Sequence, residues 1–144
     1  MFQRVFGGDA LYANVGIKLG SPHIYNIFAA GIAPTKDVTR IGMGVGLGGH
    51  IPFKKAYVDI DGICYWIHNG NFNNYNQLNL LNQIRLMGGY SFTKGLAAYA
   101  GPVLNVHVYD SSNPAIASNT VFQGGDSQTY VDGWIGFVVG LQFF

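Results

Sequence analysis

Apolar and non-apolar side chains alternate along most of this chain. That period of two restricts it to extended strands, because successive strand residues project to opposite faces of a sheet. Over residues 11–19, Leu11, Ala13, Val15, Ile17 and Leu19 oppose Tyr12, Asn14, Gly16 and Lys18. Over 40–50, Ile41, Met43, Val45 and Leu47 oppose Arg40, Gly42, Gly44, Gly46, Gly48 and His50. Val58, Ile60, Gly62, Cys64 and Trp66 oppose Asp59, Asp61, Ile63 and Tyr65. Leu80, Ile84, Leu86 and Tyr90 oppose Gln83, Arg85, Gly89 and Ser91, with Asn82 interrupting the apolar side. Leu96, Ala98, Ala100, Pro102, Leu104 and Val106 oppose Tyr99, Gly101, Asn105 and His107. Ile135, Phe137, Val139, Leu141 and Phe143 oppose Trp134, Gly136, Gly140 and Gln142. Residues 23–32 are strand-like with either face apolar, and an eighth strand fits at 2–7, closed by Gly7-Gly8-Asp9.

Turn chemistry separates these runs at Gly20-Ser21-Pro22, Pro34-Thr35-Lys36-Asp37, Pro52-Phe53-Lys54-Lys55 and Thr93-Lys94-Gly95. Two connections, 68–77 and 109–133, are longer and polar. Composition removes the competing classes. Charged residues make up 10% of the chain and there is no Glu, too few to coat the outside of a helical bundle. An apolar content of 49% excludes disorder. A net charge of +1 argues against a nucleic-acid partner. A single cysteine allows no internal disulfide. The best apolar run, 96–108, is shorter than a spanning helix and contains Pro102. The N-terminus lacks the apolar core of a secretory signal; the expectation is a leader already removed or a piece of a longer chain.

The alternation has two possible senses. In a soluble barrel the apolar stripe lies inside; in a membrane barrel it meets lipid. The non-apolar faces here have glycine interspersed with a few charges, which would make a bare exterior. Turned inward, the glycines leave room for Tyr12, Tyr65, Tyr99 and Arg85. Every charge inside the seven well-marked strands, namely Lys18, Arg40, Asp59, Asp61 and Arg85, falls on that face. A Lys or Arg facing mid-bilayer lipid would cost roughly 2–4 kcal/mol. The expected arrangement therefore has Ile41, Met43, Val45, Leu47, Ile135, Phe137, Val139 and Leu141 facing lipid. Inside, Lys18, Arg40 and Arg85 form a network with Asp59 and Asp61. Trp66 at one end and Tyr90, Phe92 and Phe143 at the other suit interfacial aromatic girdles. With the C-terminus on the periplasmic side, the connections alternate long and short from 109–133 back to 52–55.

The whole-chain alternation, and a last strand over 134–144 that ends on an aromatic, resemble the small bacterial outer-membrane β-barrels of the OmpA/OmpX type. The resemblance implies an all-β, closed antiparallel transmembrane barrel of eight strands, a single domain over 1–144 in a bacterial outer membrane. It also implies outer-membrane lipid as surroundings and barrel-assembly machinery as a partner through the C-terminal strand. In this chain the apolar set runs in phase with Phe143 rather than Phe144, which affects the register of that strand. Similar glycine- and aromatic-rich segments also occur as C-terminal parts of longer surface proteins.

Other chemistry is suggested and set aside. Gly44-Val45-Gly46-Leu47-Gly48-Gly49 fits a dinucleotide fingerprint, but lies within a strand and precedes Pro52 rather than a helix. Asp59 and Asp61 lack the further acids of a calcium loop. Cys64 and His68 stand about 13 Å apart along an extended strand, too far to share a metal. His68 and His107 fall near Asp110, Ser111 and Ser112 at the outer rim, where a Ser-His-acid site could be assembled. No catalytic residue, metal or cofactor is expected. The expected role is a structural, anchoring or surface-interaction barrel with a side-chain-filled lumen, whose 109–133 loop meets a surface partner. A soluble barrel holding an apolar ligand and a barrel enzyme with a rim site are the rivals.

Overall fold

The computed structural model describes residues 2–8, 11, 13–34, 39–70, 78–113, 115–116 and 119–144, with residues 2–8 as backbone alone. Tyr12, Asp9, the turn at 35–38 and the Asn-rich stretch 71–77 lie outside the described residues. Within them the chain forms β1 (Phe2–Gly8), β2 (Ala13–Gly20), β3 (Ile24–Pro34), β4 (Thr39–Phe53), β5 (Ala56–Asn69), β6 (Asn79–Ser91), β7 (Leu96–Asp110), β8 (Phe122–Gly125) and β9 (Thr129–Phe143), and no helix. All pairings are antiparallel, in one sheet ordered β1-β2-β3-β4-β5-β6-β7-β9-β8. β1 also pairs with β9, from Gln3 opposite Phe143 to Gly8 opposite Val138.

The four-residue β8 is the element that the sequence pattern does not mark, and it corrects the expected 109–133 loop. β7 runs on to Asp110 and β9 starts at Thr129, so the loop is shortened from both sides. β8 pairs with Tyr130–Gly133 of β9, above the stretch that β1 covers. A first strand of seven residues is too short to cover a partner of fifteen. Part of the connection folds back to hydrogen-bond the edge left over.

Burial alternates as the sequence does. On β4, Met43, Val45 and Leu47 are exposed and Gly42 and Gly44 buried; Ile41, near the strand end, is half-exposed. On β9, Ile135, Phe137, Val139 and Leu141 are exposed while Trp134, Val138 and Gln142 are buried. β3, ambiguous in sequence, buries Tyr25, Ile27, Ala29 and Ala33 and exposes Ile24, Phe28 and Ile32. Register decides this: Phe28 stands opposite both Ile17 and Val45, so it shares their face. The buried face meets itself across the sheet. Lys18 of β2 reaches Asp59 and Asp61 of β5, and the Tyr57 hydroxyl of β5 donates to Gln142 of β9 at 3.4 Å.

The glycines of β4 are slots. A Cβ on Gly44 would lie 2.7 Å from the Tyr65 ring, and one on Gly48 would overlap the Tyr25 ring and the Asp61 carboxylate. Tyr65, Tyr99 and Arg85 are all buried on this face. It is also more apolar than expected: Ile27, Ile63, Ile67 and Leu81 pack with Tyr25 and Tyr65 in one cluster, and Met87, Val103 and Val138 with Tyr57 and Tyr99 in a second. In the β6–β7 ladder, the pairs of Leu86 and Met87 with Pro102 and Gly101 are missing, as expected where Pro102 has no N–H to donate.

Candidate functional site

The buried face carries a compact ionic cluster near the end where residues 21–23, 54–55 and 92–95 make short turns. Four neighbouring strands supply it. Lys18 of β2 is 2% exposed and Asp59 and Asp61 of β5 are 0% and 1% exposed. The lysine Nζ lies 3.1 Å from Asp59 Oδ2 and 3.3 Å from Asp61 Oδ1. Tyr25 of β3 sits between them: its hydroxyl donates to Asp61 Oδ1 at 2.6 Å and receives a hydrogen bond from Lys18. His50 of β4, directly opposite Asp59 in the ladder, places Nδ1 2.6 Å from Asp59 Oδ1. A recess of about 210 Å³, lined by Lys18, Tyr25, His50 and Gln142, opens beside the cluster.

Arg85 continues this arrangement on β6, opposite Asp61 in register. Its Nη2 donates to the Tyr65 hydroxyl at 2.9 Å, and both Nε and Nη2 donate to Gln83. Gln83 in turn donates to Asn105 Oδ1 at 2.7 Å. Four of the five expected charges are thus brought to one region of the buried face: Lys18 contacts both carboxylates, and Arg85 stands opposite Asp61 in register. Arg40 is not. It stands at the far end of β4, opposite Asn69, where Nη2 donates to the Ala115 carbonyl at 3.4 Å and Nε is buried with no partner among the described residues.

A second polar assembly occupies that far end. His107 Nε2 lies 2.6 Å from Asn79 Oδ1 and its ring stacks on Tyr109, with centroids 4.4 Å apart. The Tyr109 hydroxyl donates to Asp132 Oδ2 at 2.7 Å. Asp110 clasps the loops: it accepts from the amides of Leu78 and Ser112 at 3.1 and 3.0 Å, from Asn113 Nδ2 at 2.9 Å and from the Ser112 hydroxyl. These donors, the Ser112 hydroxyl foremost, hold the Asp110 carboxyl below the usual carboxylate range. His68 stacks against Trp66, with centroids 5.6 Å apart. Ser112 therefore faces Asp110 and His107 faces Asn79, so the rim groups do not form a Ser-His-acid chain among the described residues. Nor does any group of three or more His, Cys or Asp side chains there converge to hold a metal.

Of the aromatics expected at the girdles, Tyr90, Phe92 and Phe143 are exposed at the short-turn end, with Tyr90 and Phe92 edge to face at 5.7 Å. Trp66 is exposed towards the other end. Tyr25, His50, Tyr65 and Gln83 were missed as members of the ionic cluster. His50 lies on the correct face of β4, and its ladder partner Asp59 was the available signal. No family model, curated protein or solved structure matches this chain.

Proposed function

We propose that this chain is a bacterial outer-membrane protein: a closed barrel of eight spanning strands, sealed by the β1–β9 pairing, with a structural, anchoring or surface-interaction role. One observation carries the reading. The exposed face of the strands is apolar, with Met43, Val45, Leu47, Ile60, Ile84, Ile135, Phe137 and Val139 each at least half exposed. The strand charges Lys18, Asp59, Asp61 and Arg85 are buried on the other face. Soluble monomers rarely expose contiguous apolar patches beyond a few hundred Å², whereas hydrocarbon solvates such a surface. The aromatic residues at both strand ends support the same reading, as interfacial girdles.

In this reading the lumen is filled by Tyr25, Tyr57, Tyr65, Tyr99, Leu81, Met87 and the ionic cluster, leaving no wide pore. Outer-membrane lipid surrounds the barrel, the terminal strand β9 engages the assembly machinery, and residues 111–128 present the surface available to a partner. The test is direct. The protein should require detergent or lipid to stay dispersed and should change gel mobility between unheated and boiled samples in SDS. A monodisperse monomer in plain buffer would refute the proposal.

A further inference from the structure

We infer that the short-turn end carries a docking surface for the headgroup of an acidic phospholipid, formed by Lys54, Lys55 and Lys94 with Phe92 and Phe144. This rests on the membrane reading above and names a lipid for one rim of it. Residues 54–55 join β4 to β5, and 92–95 join β6 to β7; the Ser91 amide donates to the Lys55 carbonyl at 2.7 Å and ties the two turns together. The Phe144 amide donates to the Gly95 carbonyl at 3.1 Å and brings the last residue alongside. Between them lies an open recess of about 480 Å³, which also includes Ser91 and Thr93.

Three features select the occupant. First, all three lysines are exposed, and none makes an ion pair among the described residues. Second, no exposed acidic side chain lies at this end among the described residues: exposed Asp126 and half-buried Asp110 both belong to the opposite end. Third, the lysines border the exposed rings of Phe53, Tyr90, Phe92 and Phe143, which places them at headgroup depth if those rings sit at the membrane interface. A phosphate-centred headgroup with net negative charge fits three ammoniums that make no ion pair among the described residues, above an apolar rim; a zwitterionic one brings its own cation.

The backbone adds an independent indication. Lys54 is the non-glycine residue with a left-handed conformation among those described, at φ 58°. It occupies the first position of a two-residue hairpin turn closed by Phe53 opposite Ala56. That position favours glycine, asparagine or aspartate, and this chain uses glycine freely elsewhere, with 21 in all. A lysine held against backbone preference points to a role for its side chain.

The experiment follows from that conflict. Wild type, K54G and the triple variant K54Q/K55Q/K94Q are inserted into bilayers mixing phosphatidylglycerol with phosphatidylcholine. The ratio of the two lipids retained by the extracted protein is then measured at low and high salt. Wild type should enrich phosphatidylglycerol at low salt, and the enrichment should fall about fivefold per lysine removed and shrink with salt. K54G should lose its share of the enrichment while folding in pure phosphatidylcholine at least as stably as wild type, because glycine relieves the turn. Enrichment that survives the triple substitution, or is absent from wild type inserted normally, overturns the docking surface and leaves the membrane reading standing. Failure to insert into either bilayer overturns both.

Discussion

A lysine with 2% of its surface exposed persists in a protein interior only when its charge is matched, because taking an ion out of water costs several kcal/mol even after relaxation. Lys18 meets that condition through Asp59 and Asp61, with Tyr25 bridging it to Asp61 and Arg85 standing opposite Asp61 in register. Removing one partner leaves the others uncompensated. Lys18→Met should therefore destabilise the fold by about 3–5 kcal/mol. The double substitution Lys18→Met with Asp59→Asn should recover part of that loss, since one cation and one carboxylate are then removed together. Urea titration of the two single variants and the double variant in one lipid system forms the required cycle. Additive losses would mean that the geometry contributes no coupling. Charges matched in this way also explain why the chain can place ions on a face otherwise made of tyrosine, glycine and aliphatic side chains.

Strand ends show what a pattern of two can and cannot encode. Asp110 at the end of β7 gathers the Leu78 and Ser112 amides, Asn113 and the Ser112 hydroxyl, joining the chain after the 71–77 stretch to the start of the 111–128 loop. Its depressed pKa means that folding binds fewer protons here, so the clasp is complete above the unfolded value and weakens as pH falls through the lower folded one. The Ser112 and Leu78 amide resonances should titrate with a midpoint below 3.8, the carboxyl's ordinary value. Asp110→Ala should abolish that titration, and a midpoint at or above 3.8 would dismiss the clasp. None of this is readable from alternation, which reports face alone. β4, β5, β7 and β9 were legible because glycine, charge or amide interrupts one side of each. β3 was not, because Tyr25, Ile27 and Ala29 are as apolar as Ile24, Phe28 and Ala30; Tyr25 was lost to the cluster with it. Arg40 failed differently. It shares the buried face with Lys18, but face says nothing of height. Register carries Lys18 through Ile27 to the level of Gly46, and six residues of strand set Arg40 about 20 Å away. β8, Phe-Gln-Gly-Gly, has no period to detect; its pairing answers a need created by a short β1.

At the scale of the whole molecule, the sense of the two faces separates the proposed membrane protein from its soluble rival. A soluble barrel with an apolar ligand site would keep Val45, Val139 and Leu141 inside and turn Lys18 and Arg85 to water, and the burial runs the other way. The remaining question is what solvent meets the exposed stripe, and one substitution reads it. Val45 is 60% exposed near the centre of β4 and touches no part of the ionic cluster. In water an arginine there is an ordinary surface change, worth within about 0.5 kcal/mol. In a bilayer the same guanidinium sits near the midplane and costs about 2–4 kcal/mol. Val45→Arg should therefore lower stability in lipid vesicles by that larger amount, and an arginine at Phe53, at the strand end, should cost about 1 kcal/mol or less, because the penalty fades towards the interface. Depth dependence is the informative quantity. A soluble surface would tolerate both substitutions alike, and a misassigned face would make Val45→Arg disruptive in detergent-free buffer as well, through overpacking rather than desolvation. Equal and small effects at Val45 and Phe53 in vesicles would remove hydrocarbon from the exposed face and leave the 27 large apolar side chains exposed among the described residues to be explained by a protein partner instead.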